Sequence, residues 1–145
     1  MRDVKDHWFR QAKREGYRSR AAFKLTDIDD RKQILSTGDR VLDCGAAPGS
    51  WSQVAARRVG RRGSVVAVDL KAIDAEGLPE NVTLHEADLR EMELETLGGG
   101  VFDVVLSDMA PDTTGDPFGD HHRSIRLCND LLDRVPAWLR PGGHL

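Results

Sequence analysis

Cysteine is scarce in this chain, with two in 145 residues. Cys44 and Cys128 form neither a disulfide framework nor the clustered spacing of a zinc site, so a reducing compartment, the cytoplasm, is expected. No apolar run approaches the roughly 20 residues that a membrane helix needs. The N-terminus is charged rather than signal-like. Aromatic residues make up 6%, with one tyrosine. His121 and His122 are adjacent, so they point different ways, and no cysteine or acid beside them completes a ligand set. Neither a membrane nor a metal is therefore expected as a partner. Hydrophobic content of 39% and charged content of 31% are ordinary for a globular protein. The length suits one domain, residues 1–145, that buries about two-thirds of its unfolded surface.

The charge is unevenly placed. Residues 1–24 hold eight Lys or Arg against Asp3, Asp6 and Glu15, a surplus of five positive charges within a chain of net charge −3. Arg14, Arg18, Arg20 and Lys24 belong to this leader, taken as residues 1–30, and they are the candidate phosphate contacts for a polyanion. A solvated amphipathic helix explains the same charges equally well. Val4, Trp8, Phe9 and Ala12 recur at helical spacing, with Gly16 placed to end that helix. Ser19 is a cap for a second helix with Ala22, Leu25 and Ile28 on one face. Tyr17 and Phe23 beside Arg18, Arg20 and Lys24 suit an RNA surface, or else a core-packing helix with a charged back.

The rest of the chain is organised around Val41–Trp51, V-L-D-C-G-A-A-P-G-S-W. A short apolar run leads to Asp43, then a loop of small residues, then helical spacing from Trp51 onward. Strand, glycine loop and helix in that order make the ligand-binding corner of a doubly wound α/β domain. Gly45 and Gly49 allow positive φ and close approach of a ligand to the backbone. Asp69 ends a second strand, Ser64–Val68, where a carboxylate can accept both hydroxyls of a ribose. The loop lacks the G-x-G-x-x-G spacing that seats a pyrophosphate. A nucleoside without a pyrophosphate fits better, and S-adenosylmethionine is the candidate cofactor. Asp88 follows a third strand, 82–85, and suits either an adenine amine or the start of a helix over 89–97. A fourth strand, 102–106, runs into Ser107–Pro111, placing Asp108 at a carboxyl end. A polar loop, 112–120, and a helix, 122–139, follow, with Arg140–Gly143 expected to end that helix. The next strand is expected to start at His144, so the core, 38–145, reads as truncated.

Together R-S-R-A-A-F-K-L, D-C-G-A-A-P-G-S-W-S-Q and L-S-D-M-A-P resemble the FtsJ/RrmJ family of RNA ribose 2′-O-methyltransferases. The resemblance implies a Rossmann-like S-adenosylmethionine-dependent methyltransferase fold. It implies a mostly parallel sheet with helices on both faces, with the last strands expected to be missing here. It also implies methyl transfer to a ribose 2′-hydroxyl, with a uridine of large-subunit ribosomal RNA as the expected target. Gly49, Trp51, Asp69, Asp88 and Asp108 fall on the family's cofactor contacts, with Gly45 in the same loop. The family's Lys-Asp-Lys-Glu reaction centre places Lys24 and Asp108 as catalytic residues, and its second Lys and its Glu are expected beyond Leu145. Lacking them, the 145-residue chain is expected to bind cofactor weakly and to transfer no methyl group. Alternatives are a transfer-RNA or cap ribose methyltransferase, an inactive RNA-binding fragment that keeps cofactor, and a small-molecule methyltransferase.

Overall fold

Val41, Leu42, Val65, Val66, Val68, Val104 and Val105 are all buried, and runs of β-branched residues buried on both sides are what a central parallel sheet requires. The computed structural model describes residues 2–93, 96–98, 100–107 and 139–144. Its strands are β1 (Arg40–Cys44), β2 (Ser64–Asp69), β3 (Val82–Glu86), β4 (Phe102–Ser107) and β5 (Leu139–His144). They form one five-stranded sheet in the order β3-β2-β1-β4-β5, and every pairing is parallel. Alternation along each strand divides the core. Val41, Val65, Val104 and Leu106 face one side, and Leu42, Val66, Val68 and Val105 face the other.

Three helices are described: α1 (Arg2–Glu15), α2 (Ala21–Lys32) and α3 (Ser50–Val59). The first side of the sheet is covered by Ala22 and Leu25 of α2 and by Trp51, Val54, Ala55, Ala56 and Val59 of α3. Each such Val or Leu contributes about 1.5–3 kcal/mol when fully buried. The other side is covered by a 3₁₀ turn, Leu89–Glu91, with Met92 and Leu97. The expected helix over 89–97 is thus one short turn in its described part.

Gly16 ends α1 as the spacing predicts. At φ +81° it donates to the Lys13 carbonyl at 3.3 Å, and the Tyr17 N–H reaches the Ala12 carbonyl at 2.8 Å. This pair of bonds closes a helix on a left-handed residue. Ser19 sits before α2, with its Oγ accepting from the Ala21 N–H at 3.3 Å. The inward face of α2 holds Ala22 and Leu25 as expected, but its third buried member is Asp29, with Ile28 only half-buried. Asp29 accepts from the Leu35 N–H at 2.8 Å and from Arg58 of α3 at 2.9 Å. A second bond, from Arg58 to Asp30 at 2.8 Å, joins the two helices. That bond is the main reason the guanidinium is held above its ordinary pKa, with the nearby charges of Asp30 and Asp29 adding to it.

The end of the chain corrects the sequence reading. Leu139, expected in a helix, and Arg140–Gly143, expected as its terminator, belong to β5. Proline and glycine, read as helix-ending signals, are tolerated in an irregular strand. Leu139 pairs with Phe102 and His144 with Val104, with a register shift between. A Cβ on Gly143 would lie 2.7 Å from the Asp103 carbonyl oxygen, so only glycine permits this approach to β4. The expected helix over 122–138 and the loop over 112–120 lie outside the described residues.

The glycine run before β4 also has a packing reason. Arg40 stacks on Phe102, 4.3 Å from its ring centre, and donates to the carbonyls of Leu97 and Gly100. A Cβ on Gly98 or Gly100 would meet that guanidinium at 2.6 Å.

Candidate active site

Parallel pairing brings the carboxyl ends of the strands to one edge. Cys44 lies opposite Val68 and Ser107, and Asp69 lies opposite Glu86. The chain passes from β1 outward to β2 and β3, then returns to the far side of β1 as β4. The strand order therefore reverses at β1, and in such sheets the ligand crevice usually lies at that switch point, outside the carboxyl ends of the strands.

The β1–α3 loop is fixed against β2. The Gly45 and Ala46 N–H groups both donate to the Val68 carbonyl, at 2.8 and 3.1 Å. The Ala47 N–H donates to Asp69 Oδ2 and the Lys71 N–H to Asp69 Oδ1, each at 2.8 Å. One carboxylate thus ties the first loop to the β2–β3 loop. It is half-buried, and each oxygen accepts one backbone N–H, which leaves lone pairs for hydroxyls of a ligand. Gly45 (φ +70°) and Gly49 (φ +111°) occupy backbone conformations that side-chain-bearing residues avoid. A glycine-lined loop beside a carboxylate with spare acceptor capacity fits the ribose end of S-adenosylmethionine.

Asp43, only 1% exposed, accepts from the Ser52 Oγ at 2.7 Å and so anchors the first turn of α3 to the end of β1. Burial pushes the neighbouring Cys44 thiol well up from its ordinary pKa, and the Asp43 charge adds to the effect. Fully buried, Cys44 is therefore an inert apolar group. Trp51 is 8% exposed, and its indole N–H donates to the Ala21 carbonyl of α2 at 2.8 Å. Its ring packs in the seam between α2 and α3, so Trp51 adjoins the loop through its main chain.

Asp88 stands just beyond β3, half-buried, and its carbonyl accepts from the Glu91 N–H at 3.0 Å to start the 3₁₀ turn. Asp108, directly after Ser107 at the end of β4, lies outside the described residues, as do His121, His122 and Cys128. Lys24 is exposed on α2, and Arg14 and Arg20 are exposed on the leader.

Arg18 differs from its neighbours. One terminal nitrogen donates to the Pro48 carbonyl at 2.9 Å and the other to the Glu76 carbonyl at 2.7 Å. Its backbone N–H donates to Gln53 Oε1 at 2.9 Å, and Gln53 Nε2 donates to the Gly16 carbonyl at 3.0 Å. Ser19 Oγ donates to Ser50 Oγ at 2.8 Å. Sequence reasoning missed Gln53 and Ser50 as the core's grip on the leader. Their signal was three polar residues, Ser50, Ser52 and Gln53, in the first turn of a helix that goes on with Val54, Ala55 and Ala56. Tyr17 and Phe23 pack edge to face, with ring centres 5.8 Å apart, and Arg57 lies 4.8 Å from the Tyr17 ring centre.

Residues 17–145 match the FtsJ-like methyltransferase family. The chain belongs to that family. It is 49% identical over 144 residues to the ribosomal RNA large subunit methyltransferase E of Syntrophobacter fumaroxidans, covering 97% of this chain and 73% of that protein. It is 45% identical over 148 residues to the protein of the same name from Halobacterium salinarum, covering 99% of this chain and 57% of the relative. Among solved structures, a Plasmodium falciparum protein described as a ribosomal RNA methyltransferase is 28% identical, with a TM-score of 0.77 over 88% of this chain and 76% of its own. Aeropyrum pernix fibrillarin, solved with natively bound S-adenosyl-L-methionine, is 19% identical with a TM-score of 0.51, over 76% of this chain and 45% of its own. That likeness concerns the fold. This FtsJ-like chain is thus a Rossmann-like α/β methyltransferase. No helix among its described residues is long and apolar enough to cross a membrane.

Proposed function

We propose that this FtsJ-like chain methylates a ribose 2′-hydroxyl of large-subunit ribosomal RNA, with S-adenosylmethionine as methyl donor and a uridine as target. The observation that carries the cofactor reading is the Asp69 carboxylate, held at the end of β2 by the Ala47 and Lys71 N–H groups. Membership of the family supports the reaction class and, against the inactivity expected from the sequence alone, an active methyltransferase. Residues 1–145 act in this reading as one methyltransferase domain, with 1–30 as the RNA-facing leader and 38–145 as the cofactor core.

Each group has a role that its chemistry allows. S-adenosylmethionine, when bound, supplies an electrophilic methyl group on a sulfonium. Asp69 accepts the ribose hydroxyls of the cofactor, Asp88 accepts an adenine amine, and Gly45, Gly49 and the main chain of Trp51 line the remaining wall. A ribose hydroxyl is a weak nucleophile at neutral pH, so it needs a proton acceptor and a fixed approach. Lys24 places positive charge beside the RNA, and Asp108 orients a neighbouring cation at the reacting hydroxyl. Arg14 and Arg20 hold flanking phosphates. Positioning supplies much of the rate.

The test is methyl transfer from labelled S-adenosylmethionine to large ribosomal subunits that lack the modification, followed by nuclease digestion and mass spectrometry. A 2′-O-methyl nucleotide is the expected product. A methylated base, or label in a small molecule alone, would overturn the reading.

A further inference from the structure

Arg18 lies in the basic leader, where an arginine invites assignment as a phosphate contact, yet its hydrogen bonds point elsewhere. Its two terminal nitrogens hold carbonyls on two different loops, Pro48 after β1 and Glu76 after β2. Those are the two loops that Asp69 also joins, through the Ala47 and Lys71 N–H groups. The Arg18 stem lies against Gly49, where an added Cβ would stand 3.4 Å from the Arg18 side chain and 3.5 Å from Ile73. The Arg18 backbone is itself fixed, because Gln53 accepts from its N–H and donates to Gly16. At the receiving end, the Glu76 N–H donates to Asp74 Oδ1 at 2.9 Å, a local bond that shapes the chain there. Rotating the guanidinium toward an RNA phosphate would break both carbonyl bonds at once.

We propose that Arg18 is a positioning residue, a strut that sets the separation of the two cofactor-facing loops before the cofactor arrives, and that it is not an RNA phosphate contact. The proposal rests on the cofactor reading given above. A planar fork that spans two acceptors has no equivalent in lysine, which offers one compact ammonium. A phosphate contact, by contrast, is largely kept by lysine because the point charge remains.

The two chemistries therefore separate in Arg18→Lys and Arg18→Gln. Losing two such bonds should weaken S-adenosylmethionine binding by about tenfold or more in Arg18→Gln, with Lys restoring little of it. The salt dependence of RNA binding should stay as in the unsubstituted chain for both variants. Hydrogen exchange of the cofactor-free protein supplies a reading independent of any ligand. Segments 45–50 and 74–78 should exchange faster in both variants, and β1 and β4 should not. Such local change also separates a lost strut from a failed fold, and Arg18→Lys, which keeps the aliphatic stem, is the variant to read if Arg18→Gln unfolds. Unaltered exchange in the two loops, or unaltered cofactor affinity with a flatter salt slope that Lys restores, would overturn the proposal. If the unsubstituted chain binds cofactor but modifies no RNA, the proposed reaction fails while the strut stands.

Discussion

Replacing Asp69 with alanine tests the crevice most directly, because one carboxylate both builds the site and contacts the ligand. In the free protein the change removes the acceptors of the Ala47 and Lys71 N–H groups, two bonds of 2.8 Å. Bonds to an ionised acceptor contribute about 1.5–3 kcal/mol each, and the lower end applies here because water reaches a half-buried carboxylate and replaces part of what is lost. The expected cost is then about 3 kcal/mol for the pair, which in a chain of this size lowers Tm by about 6–12 °C. Cofactor binding should weaken separately, by about 1–3 kcal/mol or roughly 5- to 150-fold in Kd, through the lost ribose hydroxyl bonds. Asn is the informative comparison. It keeps one acceptor but turns an NH2 toward the other backbone N–H, so it should recover about half of the thermal loss and little of the affinity. Calorimetric melting without cofactor and titration calorimetry with it measure the two effects independently. A lowered Tm with unchanged Kd would confine Asp69 to joining the loops. An unchanged Tm would refute the hydrogen-bond argument itself.

Three further outcomes are expected. Arg58→Met removes the cation facing Asp29, a carboxylate only 4% exposed, and should destabilise the fold by about 1–3 kcal/mol in denaturant titration, less than a fully enclosed pair because Arg58 is partly open to water. In a Cys128→Ser background Cys44 should resist alkylation until the protein unfolds; its raised folded pKa means that its stabilising effect is full below the unfolded value near 9.0 and is lost as pH climbs above it, visible as a falling Tm in alkaline buffers. Joint replacement of Arg14 and Arg20 by Gln should lower RNA affinity and reduce the salt slope by about one per lost phosphate contact, with cofactor affinity unmoved; an unchanged slope would leave the leader as a packed helix pair only.

The site was legible where a side chain's own chemistry matched its position. Val41–Trp51 announced strand, loop and helix because small residues between an acid and an apolar helix have few other uses. The strand-end positions of Asp69 and Asp88 were findable because Asp69 closes an apolar run and Asp88 comes two residues after a short strand. Arg18 was not, since its partners are main-chain carbonyls of Pro48 and Glu76, which leave no mark in the sequence. Asp29 was passed over although it stands four residues after Leu25 and seven after Ala22, on the apolar stripe, because its partner Arg58 lies on another helix. The end of the chain misled for the opposite reason. Pro141, Gly142 and Gly143 were read as a terminator, whereas the strand they occupy tolerates them through an irregular register.

The seam between leader and core has a consequence for how this chain can vary. Arg18 reaches the oxygens of Pro48 and Glu76, Trp51 reaches that of Ala21, and Gln53 reaches that of Gly16. In each case one partner contributes a particular side chain and the other contributes only a peptide oxygen, which every amino acid carries. Tolerance to substitution should therefore be lopsided. Arg18, Trp51 and Gln53 admit few replacements, while the exposed Glu76 can change identity freely as long as the backbone keeps its course. A saturation library across the seam should show depletion at Arg18, Trp51 and Gln53 and tolerance at Glu76, while Gly16 is held by its positive φ rather than by its bond.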